Sequence, residues 1–411
     1  MNPWVMRRFG AGCHQWAWLV PIVLIFPSFR SMAETPFSEP YSINRAMQEF
    51  TGPGRDAPTP EDVKNIAIGY FGPLPEEDLR YADLYYGILL AIEEANEAGG
   101  YQGLPFRLVS RWATDPWGAG SQKVVRLAYH DNVWAVIGSV DGDTSHVAIQ
   151  ILTIARVALV APTATVPGLT QAGVPWMFRL PPNDPSQAAA LAAHMAREGK
   201  ERTMALLSST HHDSRVFRGE MIKALQNRPV SLAIEAQVSS LVESATGIRR
   251  LLLAEPDAIC IALDPPAAAL ALEELNRSGW EGDLYGWGRL SYRSFFESAN
   301  EGVEGMVVPR MWDPQIDSSE SERFGELYRE RFGKKPDAQA AYGYDAARLV
   351  IEAVRAEGLN RIRIRDGLAS LSPFQGVTGS IFWDGGGGNT RPVNLWRWER
   401  HGGMTRLSTE P

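Results

Sequence analysis

Hydroxyl and acidic side chains cluster in two short loops of this sequence, and both loops are suited to holding a small polar molecule. The first loop, Ser139–Ser145, has the sequence Ser-Val-Asp-Gly-Asp-Thr-Ser, and the second, Pro162–Pro167, has the sequence Pro-Thr-Ala-Thr-Val-Pro. Each loop directly follows an apolar run typical of a buried strand. Hydroxyl groups and free backbone N–H groups at the start of a helix bind a carboxylate or amide oxygen well. The two loops are therefore our candidate binding site.

Other polar motifs give weaker signals. His211-His212-Asp213 has the residue types of metal ligands but lacks partners one helical turn away. Asp141-Gly142-Asp143 is similar to the start of a calcium loop but lacks the spaced ligands and the distal glutamate. The sequence contains no nucleophile elbow, dinucleotide fingerprint, phosphate loop or zinc-protease motif. We therefore expect no metal, no cofactor and no enzymatic activity.

The composition limits the class of protein further. The chain has 411 residues, of which 45% are hydrophobic and 21% are charged, and this is ordinary globular usage. The formal net charge is −8 and no block of Lys or Arg is present, so a nucleic-acid partner is not expected. Two cysteines are too few for a disulfide framework. The length predicts two domains.

The amino-terminal residues have the pattern of a secretory signal peptide. Arg7 and Arg8 precede the apolar run Trp16–Phe26, and the small-residue site Ser31-Met32-Ala33 follows it. The run is too short to span a membrane. We predict a signal peptide over residues 1–33, cleavage after Ala33 and a periplasmic mature protein. Residues 34–61 are Pro-rich and predict an extended lead-in.

Apolar strands alternate with helical patterns along the rest of the chain. Asn65–Phe71 predicts a buried strand, and the apolar spacing from Tyr81 to Ile92 predicts a helix. The same alternation starts again after Pro182. Two such runs predict an α/β protein with two doubly wound parallel-sheet lobes. Near the end of the chain, Gly379–Trp383 and Val393–Trp398 predict a hairpin with a flexible glycine-rich turn.

Six segments in this order resemble the type I periplasmic solute-binding proteins of the branched-chain amino acid and amide group, which are receptors of ABC importers. The similarity covers about residues 62–400. The segments are Ile68-Gly-Tyr-Phe-Gly-Pro-Leu74, Gly87-Ile-Leu-Leu-Ala-Ile-Glu-Glu-Ala-Asn96 with Gly99-Gly100, Val136-Ile-Gly-Ser139, Ala161-Pro-Thr-Ala-Thr-Val-Pro167, Tyr342-Gly-Tyr-Asp-Ala-Ala347 and Gly376-Val-Thr-Gly379.

The resemblance implies two lobes joined by a three-strand hinge, with the ligand in the cleft between them. It assigns residues 62–182 plus 309–377 to the first lobe and 183–308 plus 378–411 to the second. The late helical segments Glu320–Phe332 and Tyr344–Glu357 then belong to the first lobe.

The resemblance also implies which residues line the site. The positions that hold a ligand carboxylate correspond to Gly142, Asp143 and Thr144 in the first loop, beside Ser139 and Asp141, and to Thr163 and Thr165 in the second. A tyrosine of the second lobe corresponds to Asp213, and the acid that pairs with a ligand ammonium corresponds to Trp287 and Gly288. Trp287 and Trp312, together with Tyr81, Trp112 and Trp117, are expected near the cleft walls because they follow strand ends.

Two differences from the family pattern change which ligand is expected. Asp141 and Asp143 place negative charge beside the carboxylate position, and no acid is present at Trp287. We therefore expect a small polar or amphipathic solute that need not be a zwitterion. Closure of a monomeric protein around the solute would be recognised by a membrane permease of an ABC importer. The alternatives are the ligand-sensing subunit of a membrane signalling complex and an exported hydrolase.

Overall fold

The computed structural model describes residues 46–197, 201–313 and 319–407. The predicted signal peptide and the first part of the Pro-rich lead-in lie outside these ranges. Within them, no helix has both the length and the apolar character needed to cross a membrane. The described part of the lead-in packs on the first lobe. Phe50 lies 5.1 Å from Trp176 between ring centroids, and its backbone N–H donates to Asp366 at 3.0 Å.

Strands and helices alternate along the chain as the sequence predicts. The first run contains β1 (Ile66–Phe71), α1 (Ala82–Glu97), β2 (Phe106–Arg111), α2 (Ser121–Tyr129), β3 (Ala135–Gly138), α3 (Gly142–Ala155), β4 (Ala158–Ala161), α4 (Gly168–Gln171) and β5 (Met177–Arg179). The second contains α5 (Asp184–Met195), β6 (Arg202–Ser209), α6 (His212–Leu225), β7 (Val230–Val238), α7 (Glu243–Leu252), β8 (Ala258–Ala262), α8 (Pro265–Ser278), β9 (Asp283–Gly286), α9 (Arg293–Ala299) and β10 (Val307–Arg310). The last contains α10 (Ser319–Phe332), α11 (Ala338–Glu357), α12 (Arg361–Ser370), β11 (Phe374–Gly376), β12 (Gly379–Ile381), β13 (Asn394–Trp398) and β14 (Met404–Arg406).

The first lobe is built on a parallel sheet of order β2-β1-β3-β4-β5. Its central strands are buried along their whole length because helices cover both faces. Helices α1 and α11 cover one face, and α2 and α3 cover the other. Helix α10 joins the first of these layers through Phe324 and Tyr328. A side chain at Gly87 would collide with the backbone of Ala340, so glycine permits the close approach of α1 and α11.

The second lobe is built on a mixed sheet of order β7-β6-β8-β9-β10-β13-β14. The strands from β7 to β10 are parallel, and β13 and β14 add an antiparallel edge. Cys260 lies in β8 as a free and fully buried thiol, in agreement with its apolar sequence context. The two lobes with helix-covered parallel sheets confirm the predicted fold class.

The predicted hairpin near the end of the chain is right at its glycine-rich turn, where Trp383 and Asn389 form an antiparallel bridge, but wrong in the pairing of its two strands. Strand β12 pairs with β11, whereas β13 pairs with β10 and β14. The glycine-rich turn between them is also firmly held, because Asp384 accepts the backbone N–H groups of Gly386 at 2.9 Å and Gly388 at 2.8 Å. Gly387 has φ +82° and no room for a side chain against Met177. Ile381 is buried in the core of the first lobe, although the family resemblance assigns residues 378–411 to the second.

The chain passes between the lobes after β5, after β10 and before β13. Two side chains connect these crossings. The Asn389 side-chain amide donates to the Leu180 carbonyl at 2.8 Å, and Arg391 donates to the Met311 carbonyl at 2.6 Å. The three crossing segments, connected by these bonds, form the hinge. The carboxyl ends of the strands of the two sheets lie on opposite sides of the cleft next to it.

Candidate functional site

The first-lobe side of the cleft is formed by the loops that follow β3 and β4. Asp141 caps α3 by accepting the Thr144 N–H at 2.8 Å, and it also accepts the Thr144 hydroxyl. The Thr163 hydroxyl of the second loop donates to the carbonyls of Ser139 at 3.1 Å and Val140 at 3.0 Å. These bonds hold the two predicted loops together and fix the amino-terminal end of α3 at the cleft.

The second-lobe side of the cleft carries charges. Asp213 lies in the first turn of α6, and both of its carboxylate oxygens accept the Gly142 N–H, at 2.9 and 3.1 Å. Arg289 forms an ion pair with Asp213 and donates to Asp264 at 3.1 Å. The Arg289 guanidinium also lies 5.0 Å from the centre of the Trp287 ring. The two lobes therefore meet through a buried carboxylate that contacts the start of α3.

Burial and the neighbouring charges shift the titration of these groups. Burial opposes ionisation of Asp213, but Arg289, His212 and the Gly142 N–H outweigh burial and lower its pKa. Burial and the charge of Asp213 raise the pKa of Asp141. The hydrogen bond to Asp213 raises the pKa of His212. Asp213 is therefore ionised at neutral pH.

Asp184 is a second buried carboxyl near the site. It begins α5, is 1% exposed, and its N–H donates to the Thr165 carbonyl at 2.9 Å. Neither carboxyl oxygen has a well-oriented hydrogen-bond partner among the described residues. Burial raises the pKa of Asp184 to about 7, although the Thr165 hydroxyl opposes this rise.

The structure brings together most of the predicted site residues. Those that lie at or beside the start of α3 are Ser139, Asp141, Gly142, Asp143, Thr144, Thr163 and Asp213. Thr165 lies beside Asp184 at the start of α5. Gly288 lies on the second-lobe side, where its N–H donates to Gln187 at 3.2 Å.

The predicted aromatic residues have different environments. Trp287 belongs to the core of the second lobe and supports Arg289, whereas Trp312 is buried in the first lobe and donates to the Val377 carbonyl at 2.9 Å. Trp112 packs on Phe71, and Trp117 is 62% exposed on the surface. Among the predicted aromatic side chains, only Tyr81 lines the cavity described next.

A small cavity lies between the lobes beside the ion pair. Its volume is about 20 Å³, which is room for about one water molecule. The lining residues are Arg80, Tyr81, Val140, Thr163, Asp264, Pro265, Arg289, Tyr292, Ser294 and Gln339. A larger opening of about 1070 Å³, lined by residues of α9, α10 and β13, borders Trp312 but includes no residue of the loops after β3 and β4. In the described ranges, His, Cys, Asp and Glu side chains form no group of three or more suited to a metal ion.

Sequence reasoning missed four of the polar residues at this site: Asp264, Arg289, Tyr292 and Gln339. Asp264 lies two residues after the end of β8 and precedes two prolines that begin α8, so its position at a strand end could have been noticed. Arg289 lies two residues after Trp287, at a strand end of the same lobe. No local pattern distinguishes Tyr292 or Gln339 from packing residues.

Comparison with known proteins adds independent evidence. The sequence model of the periplasmic binding protein family matches residues 82–403. A leucine-, isoleucine-, valine-, threonine- and alanine-binding protein of Pseudomonas aeruginosa is 24% identical over 253 residues, which cover 60% of this chain and 67% of the relative.

Solved structures are similar as well. An ABC transporter substrate-binding protein from Desulfitobacterium hafniense in complex with Leu is 25% identical, with a TM-score of 0.72, over 84% of this chain and 100% of that chain. A leucine-binding protein from Thermotoga maritima is 23% identical, with a TM-score of 0.75, over 84% and 98%. These neighbours have the same two-lobed fold.

Proposed function

The chain belongs to the periplasmic binding protein family, and on that premise we propose that it captures a small polar or amphipathic solute between its lobes for an ABC-type importer. The protein would act as a monomer and carry out no chemistry on the solute. The names of the similar proteins support delivery to an importer, since they include substrate-binding proteins of ABC transporters.

The contact between Asp213 and the Gly142 N–H carries this proposal. It joins the first turn of α6 in the second lobe to the first turn of α3 in the first lobe, directly beside the interlobe cavity. A solute that contacts both lobes only when they are closed shifts the population towards the closed form by its difference in affinity for the two forms. A permease can then recognise the loaded protein by its closed shape.

The test is recovery and return of the natural solute. A chain starting at Glu34 is purified without denaturant, and the molecules released on unfolding are identified by mass spectrometry. Returned to the empty protein, the solute is expected to raise the Tm and reduce the radius of gyration measured by small-angle X-ray scattering. At a hundredfold excess over Kd, the stabilisation is about 2.7 kcal/mol. If no recovered or added solute changes either quantity, the proposal is wrong.

Export is proposed from the amino-terminal sequence. Arg7, Arg8 and the apolar run Trp16–Phe26 support passage across the inner membrane, with cleavage after Ala33. The full-length gene product is expected in the periplasmic fraction with an intact mass that corresponds to a chain starting at Glu34. A cytoplasmic product that retains residues 1–33 would contradict export.

A further inference from the structure

The resemblance implies that a solute carboxylate binds at the start of α3, and there the protein's own Asp213 already accepts the Gly142 N–H. Backbone N–H groups at a helix amino terminus attract anions because they have no partner within the helix. Of the two N–H groups that follow in the first turn, that of Thr144 is already bonded to Asp141, and that of Asp143 lies between these two bonded groups on a residue that is itself acidic. The Gly142 N–H lies 2.9 and 3.1 Å from the two Asp213 oxygens. A second carboxylate at this point would meet Asp141 and Asp213, and both are acids.

Arg289 and Asp213 together present one positive and one negative group, as the ammonium and carboxylate of an amino acid do. The Arg289 guanidinium pairs with Asp213, and the Arg289 side chain is 12% exposed. It lies over Trp287, the position where the family resemblance implies recognition of a ligand ammonium group. The protein therefore supplies both a negative group at the start of α3 and a positive group on the second-lobe side.

Every charged side chain that lines the interlobe cavity already has a partner of opposite charge. Arg289 is paired with Asp213 and Asp264, and Arg80 is paired with Asp78 at 2.6 Å. A charged solute would either lie buried without a counter-ion or break one of these pairs. Both outcomes are unfavourable, because an unpaired buried charge costs several kcal/mol.

The uncharged groups of the cavity remain available. Tyr81 and Tyr292 present phenol rings to the cavity, and the Oε1 atom of Gln339 is buried with no hydrogen-bond partner in the described part of the chain. Burial keeps the Tyr81 phenol protonated, since it raises its pKa to about 12. The cavity as it stands holds about one water molecule, so a larger neutral solute reaches these groups only when the lobes move apart around it. It can then exchange hydrogen bonds with them, and Val140 and Pro265 add apolar wall.

We propose that Asp213 and Arg289 determine specificity by occupying the positions that the charged groups of a zwitterion would take. The cleft then rejects α-amino acids and takes a small uncharged solute that forms hydrogen bonds. This inference rests on the proposed capture of a solute between the lobes. It departs from the amino acids that the names of the similar proteins mention.

The experiment compares two nearly isosteric probes, 3-methylbutanoate and 3-methylbutanamide, together with L-leucine. Their affinities are measured by calorimetry for the unaltered chain, for Asp213→Ala and for Asp213→Asn. Asp213→Ala frees the Gly142 N–H and removes one of the two carboxylates paired with Arg289, while Asp264 stays paired with it. The asparagine side chain of Asp213→Asn retains an oxygen that accepts the same N–H. Thermal unfolding of each variant verifies that it is folded.

We expect Asp213→Ala to bind the carboxylate or L-leucine at least about tenfold more tightly than the unaltered chain does, which corresponds to about 1.4 kcal/mol. Asp213→Asn is expected to gain less than Asp213→Ala, because its amide still occupies the Gly142 N–H. On the unaltered chain, the amide is expected to bind more tightly than its carboxylate isostere.

Three results would overturn the inference: L-leucine that binds the unaltered chain as tightly as it binds Asp213→Ala, a carboxylate that outcompetes its amide on the unaltered chain, or an equal gain in both variants. A natural solute with a carboxylate would overturn it as well, while leaving capture by lobe closure intact. Failure of the proposed function has a different signature, since no solute of any charge would then close the lobes.

Discussion

The two sides of the cleft are built by different means. On the first-lobe side, hydroxyls and backbone groups bond to one another, as in the contacts of Thr163 with Ser139 and of Thr144 with Asp141. On the second-lobe side, Asp213 and Arg289 carry charges, and one of their contacts reaches across the cleft to Gly142. The hydroxyl network of the first side is therefore complete within its own lobe, whereas Asp213 and the Gly142 N–H are joined only when the lobes are closed.

This difference has an energetic consequence. Opening the cleft leaves the hydroxyl network of the first lobe unchanged but removes the Gly142 N–H from Asp213 and exposes the ion pair to water. Hydration then replaces the lost contacts, so changes on the second-lobe side should alter the balance between open and closed forms. Changes on the first-lobe side should alter the free energy of unfolding in both forms.

The largest effect on stability and on the balance between open and closed forms is expected for Arg289→Ala. It leaves Asp213 and Asp264 without their cation, and removing one partner of a buried pair costs about 3–5 kcal/mol. Because opening hydrates these carboxylates, we expect the variant to favour the open form. Small-angle X-ray scattering should give a larger radius of gyration for the variant, and urea unfolding should give a lower midpoint.

Arg218→Ala is the matched control for this prediction. Arg218 pairs with Glu235 within the second lobe, and both side chains are about one-third exposed, so the loss is expected to be within about 1 kcal/mol with no change in radius. If the radius of gyration of Arg289→Ala equals that of the unaltered chain, the charged side does not control closure, and the contrast between the two sides is wrong.

The second largest effect is expected on the pH dependence of the free energy of unfolding, through Asp184. Burial raises its pKa from 3.8 to about 7, so between these values the folded state holds a proton that the unfolded state has lost. Stability therefore falls as the pH rises through this range, by up to about 1.4 kcal/mol per pH unit for this group. Asp184→Asn removes the titration, and urea midpoints between pH 5 and pH 8 should become less dependent on pH.

Asp337 provides the matched control, because its side chain does not line the interlobe cavity. Burial and the charge of Asp83 raise its pKa to about 7, and it caps α11 by accepting the Ala340 N–H at 3.1 Å. Asparagine caps a helix equally well, so Asp337→Asn should also reduce the pH dependence but leave the affinity for solute unchanged. An unaltered pH profile in Asp184→Asn would show that this carboxyl is ionised in the folded protein.

The same contrast separates what the sequence predicts from what it does not. The loops after β3 and β4 were predictable because alternating strands and helices place them at one edge of a parallel sheet. The pairing of Arg289 with Asp213 was not, because the two residues are 76 positions apart and only the packing of the second lobe brings them together. The predicted pairing of Gly379–Trp383 with Val393–Trp398 failed for a related reason. A short apolar strand does not specify its partner, and the free edge of β10 accepted β13.

The smallest effect is expected for Thr163→Val on the first-lobe side. Valine has nearly the same shape but cannot donate to the Ser139 and Val140 carbonyls, so we expect a loss of about 1 kcal/mol in the free energy of unfolding. Thr153→Val, which removes a hydroxyl bond to the Ile149 carbonyl within α3, controls for the loss of a threonine hydroxyl in the same lobe. Because both partners of Thr163 belong to its own lobe, the radius of gyration should stay the same. An increase in radius for Thr163→Val, but not for Thr153→Val, would mean that this hydroxyl network also holds the lobes together, and the two sides of the cleft would then act as one unit.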